Sequence, residues 1–293
     1  MKVKRIYNIF FSPCGGTKTV VTTLSSNIKE DFALREVESF NCDFTLPEKR
    51  STFPRLNSDD LVVFGCPTYA GRLPNLLLPY LNTIEGNGAL AVCVVTFGNR
   101  NFDNSLAELC ALLADRGFLV FGAGAFSAFH VFSDSLGKGR PDAKDLEEIR
   151  DFSTQLSSKY NLISRGISAR DLQVSQFEAQ KNGYFYPHFS VFGAPDGPYY
   201  RPQDSHGNFI DIRKVKPLTT SQCTSCGLCA LLCPMGSIDK NDYSLVSGIC
   251  VKCCACVRMC PQDAKYFDDP GFLYHKSDLE KKYAQRAPNS VFL

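Results

Sequence analysis

Nine of the chain's 14 cysteines fall in the 38 residues from Cys223 to Cys260, and their spacing is regular. Cys223-x2-Cys226-x2-Cys229-x3-Cys233-Pro234 is followed by Cys250-x2-Cys253-x2-Cys256-x3-Cys260-Pro261, with every equivalent position displaced by 27 residues. Sulfur at this density serves disulfides in an oxidising compartment and metal chemistry in a reducing one. Three thiolates within 7 residues, with a fourth set apart, suit three corners of a 4Fe-4S cube. Zinc fits less well, because a zinc ribbon needs two cysteine pairs separated by a long loop. Each half is too short to build its own core, so bound clusters are expected to hold the module together. Cys254, the ninth cysteine, has no place in the ligand pattern. It reads as a passenger thiol, with occasional ligand exchange as the other reading.

The rest of the chain must position this window. Its 293 residues suggest two domains, and a hydrophobic share of 44% with 21% charge fits a packed globular protein. A net charge of +2, without a Lys/Arg stripe, argues against nucleic-acid binding. No stretch approaches the roughly 18 uninterrupted apolar residues of a membrane span. The opening MKVKRIYNIFFSPCGG imitates a leader, but its apolar run Tyr7 to Phe11 is broken by Asn8 and falls short of the roughly 7 to 15 residues a leader needs. A cytoplasmic location is therefore expected.

From Val3 to about Ser164, short β-rich runs alternate with helix-period stretches, the pattern of a parallel α/β sheet. Strands are expected at Ile6 to Ser12, Arg35 to Phe40, Leu61 to Cys66, Ala89 to Gly98 and Phe118 to Phe126. Runs this apolar suit strands buried on both faces. Helices are expected near Lys18 to Phe32, Asn75 to Ile84, Ser105 to Arg116 and Lys144 to Leu162, the last capped by Asp142. In such a sheet the ligand lies at the carboxyl ends of the strands, near the switch point. Three loops meet that description. Ser12-Pro13-Cys14-Gly15-Gly16-Thr17-Lys18 leads into a helix and forms a phosphate cradle of backbone N–H groups, hydroxyls and helix dipole. It lacks the G-x4-G-K-[ST] of a Walker loop. Pro67-Thr68-Tyr69-Ala70-Gly71 and Thr96-Phe97-Gly98-Asn99-Arg100 add aromatic rings and polar backbone at the same edge, which suits a flat ring with a phosphate tail.

Residues 1–164 therefore resemble a flavodoxin, and the cysteine window resembles a bacterial two-cluster ferredoxin; the whole chain resembles the fused flavodoxin-ferredoxin electron-transfer proteins. The resemblance implies a doubly wound parallel α/β sheet of five strands, flavodoxin-like, followed by a small α+β two-cluster ferredoxin-like domain. The units expected are 1–164 for FMN, 165–215 as an aromatic and Pro-rich connection, 216–276 for the clusters and 277–293 as a tail helix capped by Ser277 and Glu280. FMN would be held by Ser12, Cys14, Gly15, Gly16, Thr17 and Lys18 at its phosphate and by the two later loops at its ring. In the bacterial run the fourth cysteine serves the other cluster. The resemblance thus implies Cys223, Cys226, Cys229 and Cys260 for one 4Fe-4S cluster, and Cys250, Cys253, Cys256 and Cys233 for the second. Two departures stand out. Cys14 occupies a place where flavodoxins usually offer phosphate a hydroxyl, and the chain has no Trp, leaving Tyr69 or Phe97 to stack on flavin.

The function implied is an electron relay between FMN and two 4Fe-4S clusters, serving redox partner proteins. A flavin-dependent reductase, with its substrate under Tyr184, Phe185, Tyr186, Phe189, Tyr199 and Tyr200, is the alternative. A platform that has lost FMN is a third. The smaller features read blandly. His130 sits at a strand end; His188, His206 and His275 are surface residues; Cys42, Cys93 and Cys110 are small apolar fillers. Cys66 lies on a loop near the expected flavin, Arg100 is a solvated cation, and the charged stretch DLEEIRDF is a solvated helix face.

Overall fold

The computed structural model describes residues 2–174 and 198–293, with the backbone of 176–177, 180–181, 184–185 and 189–190 between them. Five parallel strands, β1 (Arg5–Phe10), β2 (Glu38–Asp43), β3 (Asp60–Pro67), β4 (Leu90–Phe97) and β5 (Leu119–Ser127), lie in the order β2-β1-β3-β4-β5. That is the flavodoxin-like doubly wound order, with its switch point between β1 and β3. The molecule is therefore an α/β protein with a mostly parallel central sheet.

The apolar runs are long because both faces are covered. Ile6, Phe10, Leu61, Val63, Leu90, Val92 and Val94 face α1 (Gly16–Asp31) and α4 (Ala143–Ser164). Ile9, Val62, Phe64, Cys66, Cys93 and Val95 face α3 (Ser105–Asp115) and the short α2 (Leu78–Leu81). At β2 the strand begins three residues later than its sequence suggests, because it is a mostly exposed edge strand with little apolar alternation to set its start. Cys66 is fully buried under α3 rather than on a loop.

Between the two main units, β6 (Gln176–Phe177) pairs with β9 (Phe189–Ser190), and β7 (Gln180–Lys181) pairs with β8 (Tyr184–Phe185). The side chains of Tyr184, Phe185, Tyr186, His188 and Phe189 lie outside the described residues. The cysteine module follows, with β10 (Leu218–Thr219), α5 (Leu228–Leu231), α6 (Ala255–Arg258) and β11 (Lys265–Tyr266). β10 and β11 pair antiparallel and so close the module's two ends.

The tail departs from expectation. Its helix α7 runs Pro270–Lys282, because Pro270 sits in the first turn and the Asp269 carboxylate accepts from Phe272 N–H, displacing Ser277 as the cap. The chain then returns as β12 (Ser290–Phe292), antiparallel to β5 on the free edge of the main sheet. Residues 277–293 are thus the end of a helix and a strand rather than a helix alone.

A buried network seals this return. Arg140 and Asp145 form a pair whose side chains are 4% and 0% exposed. Asn289 Nδ2 donates to Asp145 Oδ1 at 2.9 Å, and Ser127 N–H donates to Asn289 Oδ1 at 2.8 Å. Asp145 belongs to the DLEEIRDF stretch, so that face is not wholly solvated.

Candidate functional site

The cysteine module carries the same local geometry twice. Positive φ recurs at Ser225 (56°) and Lys252 (55°), at Gly227 (78°) and Cys254 (57°), and at Gly236 (59°) and Asp263 (49°), each pair 27 residues apart. In each run the first two of these turns precede a one-turn helix and the third follows it. A first hollow is lined by Cys223, Cys226, Cys229 and, from the other run, Cys260. A second is lined by Cys250, Cys253, Cys256 and, again from the other run, Cys233, together with Cys254. Cys233 Sγ accepts from Ser237 N–H at 3.3 Å, and Cys260 Sγ accepts from Ala264 N–H at 3.3 Å, another pair 27 residues apart.

At least four thiols per hollow, two sulfurs already receiving N–H groups, and no competing carboxylate in either lining make a donor set that fits an iron-sulfur cube. Among the described residues, no group of three or more His, Cys, Asp or Glu side chains is gathered around a single ion's position. Burial pushes the Cys256 thiol up to about 12 and the Cys253 thiol well above its ordinary value. A metal held by these thiols would have to displace their protons.

The module sits on the carboxyl end of the sheet. Cys14 Sγ donates to Cys253 O at 3.1 Å, joining the loop after β1 to the second hollow. Burial pushes the Cys14 thiol up to about 11, against a smaller opposing pull from Arg258. Burial also raises the Tyr69 hydroxyl well above its ordinary value, with the thiols of Cys253, Cys14, Cys254 and Cys250 adding to the effect. The loop after β3 thus faces the second hollow as well.

Two arginines clamp the join. Arg50 Nη2 donates to Pro234 O at 2.7 Å, while its Nε donates to Phe44 O at 3.0 Å. Arg258 reaches back from α6 to the carbonyls of His130, Val131 and Ser133, with its guanidinium 5.1 Å from the Phe129 ring centroid.

The loop after β1 is open where a phosphate would lie. Gly15 caps α1 at φ 89°, no side chain caps the helix, and a Cβ on Gly15 would meet nothing within 4 Å. Ser12 Oγ accepts from Lys18 N–H at 2.9 Å. Thr17 Oγ1 is buried against Thr96 Oγ1 at 2.7 Å, so both threonines are engaged in the core. The loop can offer an anion its backbone and the Ser12 O–H, but not the Thr17 hydroxyl.

The ring-side residues divide. Thr68 Oγ1 pairs with Ser105 Oγ at 2.6 Å. Phe97 is buried beside Phe102. Asn99 is committed to the tail: its Nδ2 donates to Tyr283 O and Gln285 O, both at 2.8 Å, and its Oδ1 accepts from Ala287 N–H and Arg140. Arg100 is not a solvated cation, since it pairs with Asp103 and lies 4.3 Å from the Tyr200 ring centroid. Tyr200 N–H donates to Ala70 O at 2.7 Å and Tyr199 Oη donates to Leu73 O at 3.0 Å, so this end of the connection packs on the loop after β3. Pro67, Ala70 and Gly71 contribute backbone there, with Gly71 O accepting from Asn104 N–H. Gly16 and Gly98 sit where their chains pass close to the segment 128–130.

His275 is buried rather than at the surface, and His130 is half-buried on the loop leaving β5; burial lowers them to about 4 and about 3. Composition gives no sign of this; only the packing of α7 over β5's outgoing loop accounts for it.

No family model and no curated protein matches this chain. Among solved structures it is similar to a flavodoxin from the domain Archaea, with 12% identity over 54% of this chain and 99% of that one and a TM-score of 0.35. It is also similar to a flavodoxin of Streptococcus pneumonia TIGR4 (14% identity, 53% and 99%, TM-score 0.36) and to an azoreductase from Bacillus anthracis str. Sterne (12% identity, 53% and 100%, TM-score 0.37). The fold assignment stands on the strand order given above. No helix among the described residues is long and apolar enough to cross a membrane.

Proposed function

We propose that this chain is an electron-transfer protein, in which a ferredoxin-like module holding two 4Fe-4S clusters is mounted on a flavodoxin-like platform that binds FMN. The observation that carries the reading is the pair of hollows, each lined by three thiols of one run and the fourth of the other. Cys223, Cys226, Cys229 and Cys260 would hold one cluster, and Cys250, Cys253, Cys256 and Cys233 the other. FMN would take its phosphate on the backbone around Gly15 at the N-terminus of α1, with Tyr69 beside its ring. The cofactors supply one-electron and two-electron exchange, and the chain supplies position and tuning.

What the residues do follows from their placement. The N–H groups of Ser237 and Ala264 place positive dipoles on Cys233 and Cys260, stabilising the more reduced state of each site. Cys14, Arg50 and Arg258 fix the second hollow against the loops after β1, β2 and β5. Cys226 is exposed, whereas Cys253 is buried at the platform, so the first hollow is the one a partner protein would meet. Tyr199 and Tyr200 are spent on packing, which favours a carrier over a reductase with its pocket beneath them.

Anaerobic purification tests the reading. Two 4Fe-4S clusters of four irons each give about eight irons per chain, with matching acid-labile sulfide, and one FMN. Reducing the clusters should bleach the flavin absorbance. Zinc in place of iron would overturn the cluster assignment, and a flavin that never responds would overturn the relay.

A further inference from the structure

The two halves of the cysteine module differ at one informative position. Where the loop ends and the short helix begins, the first half has Gly227 and the second has Cys254, both with left-handed backbone. That conformation is strained for a residue bearing a Cβ. Strain of this kind persists where the surrounding structure over-determines it, often at functional sites. In the first half a side chain has no room, because a Cβ on Gly227 would sit 2.9 Å from Tyr243 Oη. In the second half the Cys254 side chain is 4% exposed and lines the hollow together with Cys233, Cys250, Cys253 and Cys256. One hollow therefore has four thiols and the other has five.

We propose that Cys254 is a reserve ligand of the second hollow, able to bind iron in place of its neighbour Cys253. The proposal rests on the reading of the hollows as 4Fe-4S sites. The exchange balances without an oxidant. The Cys254 S–H gives up its proton as its sulfur bonds iron, the Cys253 S–Fe bond breaks, and the released Cys253 thiolate takes up a proton. Iron keeps its oxidation state, and the number of thiolate ligands is unchanged.

The repeat supplies its own control, since Cys226 and Cys253 are equivalent and only Cys253 has a thiol beside it. Iron and acid-labile sulfide would be counted, and electron paramagnetic resonance recorded, on the full chain purified without oxygen. Cys226→Ala is expected to lose iron from one site, up to half the total. Cys253→Ala should keep the wild-type iron content with a shifted resonance from one cluster, and the double variant C253A/C254A should fall to the level of Cys226→Ala. A Cys253→Ala protein that loses as much iron as Cys226→Ala would overturn the reserve role. Should Cys253→Ala not accumulate, the rate at which a chelator strips iron from Cys254→Ala decides the matter. One cluster should then be lost several-fold faster than in the wild type, and equal rates would overturn the proposal. A wild-type chain without iron would instead sink the cluster reading itself.

Discussion

The platform and the cysteine module hold their backbones in place by opposite means. The sheet and its helices bury Phe10, Phe11, Phe44, Phe64, Phe118, Phe121, Phe126 and Phe152 almost completely. Each such ring is worth about 1.5–3 kcal/mol of burial. From β10 to β11 the buried apolar residues are only Ile238, Val246, Cys253, Cys254, Ala255 and Ala264, while Leu231, Leu245, Ile249 and Met259 are exposed. A region with so little core needs cross-links of another kind. In the proposed reading these are eight sulfur–iron bonds. The largest expected effect follows: stripping iron with a chelator should abolish hydrogen-exchange protection across residues 216–267 while leaving β1 to β5 protected. Equal protection with and without metal would erase the contrast between the two regions.

The return of the tail to the platform allows a second test. Arg140 and Asp145 are buried together, and Asp145 also accepts from Asn289 and Arg286, which tie the returning tail to the start of α4. Burial alone would raise the Asp145 carboxyl, but Arg140 and its other partners hold it below its ordinary value. Asp145→Ala leaves a guanidinium buried and unpaired, so it should cost about 3–5 kcal/mol in chemical denaturation of the platform. It should also release β12 to proteolysis. A loss under about 1 kcal/mol would mean the tail contributes little to the platform's stability.

What was legible in the sequence follows the same division. Four of the five parallel strands, β1, β3, β4 and β5, announce themselves because both faces of the sheet are buried there, leaving runs such as Leu90 to Phe97 with no polar interruption before Thr96. The thiol spacing was legible because ligation of a small cluster is local. Long-range commitments were not. Ser290–Phe292 is a strand only because the edge of β5 is free to pair with it, and nothing in three residues says so. Asn99 looks like a loop residue beside a ligand, yet its partners lie more than 180 residues away in the tail. Asp145 is hidden in a charged helix that reads as solvated, because its partner Arg140 precedes the helix and Asn289 comes from the far end of the chain.

The clamp from module to platform is the next effect in size. Arg258→Ala removes a charged donor from three carbonyls and should cost about 2 kcal/mol. Exchange at residues 129–134 should rise while the far side of the sheet, around β2, is unchanged. Arg258→Lys should not rescue it, since an ammonium cannot spread a planar fork across separate acceptors. Rescue by lysine would mean that charge alone holds the module in place.

The smallest effect is acid sensitivity at the same join. His130, half-buried on the loop leaving β5, and His275, buried on α7, are both held neutral, with pKa values near 3 and 4; burial is the main cause at each, His275, Arg100 and Arg258 add to it at His130, and at His275 Asp278 opposes it while Arg100 and Lys282 add to it. In the unfolded chain each would titrate near 6.5. Between about pH 6.5 and 4 the unfolded state therefore binds more protons, so stability is complete above that window and falls as the pH drops through it. From pH 7 to pH 6 the loss should be about 0.7 kcal/mol per histidine. His275→Phe should remove its share of that slope, while His206→Phe, an exposed histidine elsewhere in the chain, should leave the slope unchanged. An undiminished slope in His275→Phe would place the acid-sensitive group somewhere other than His275.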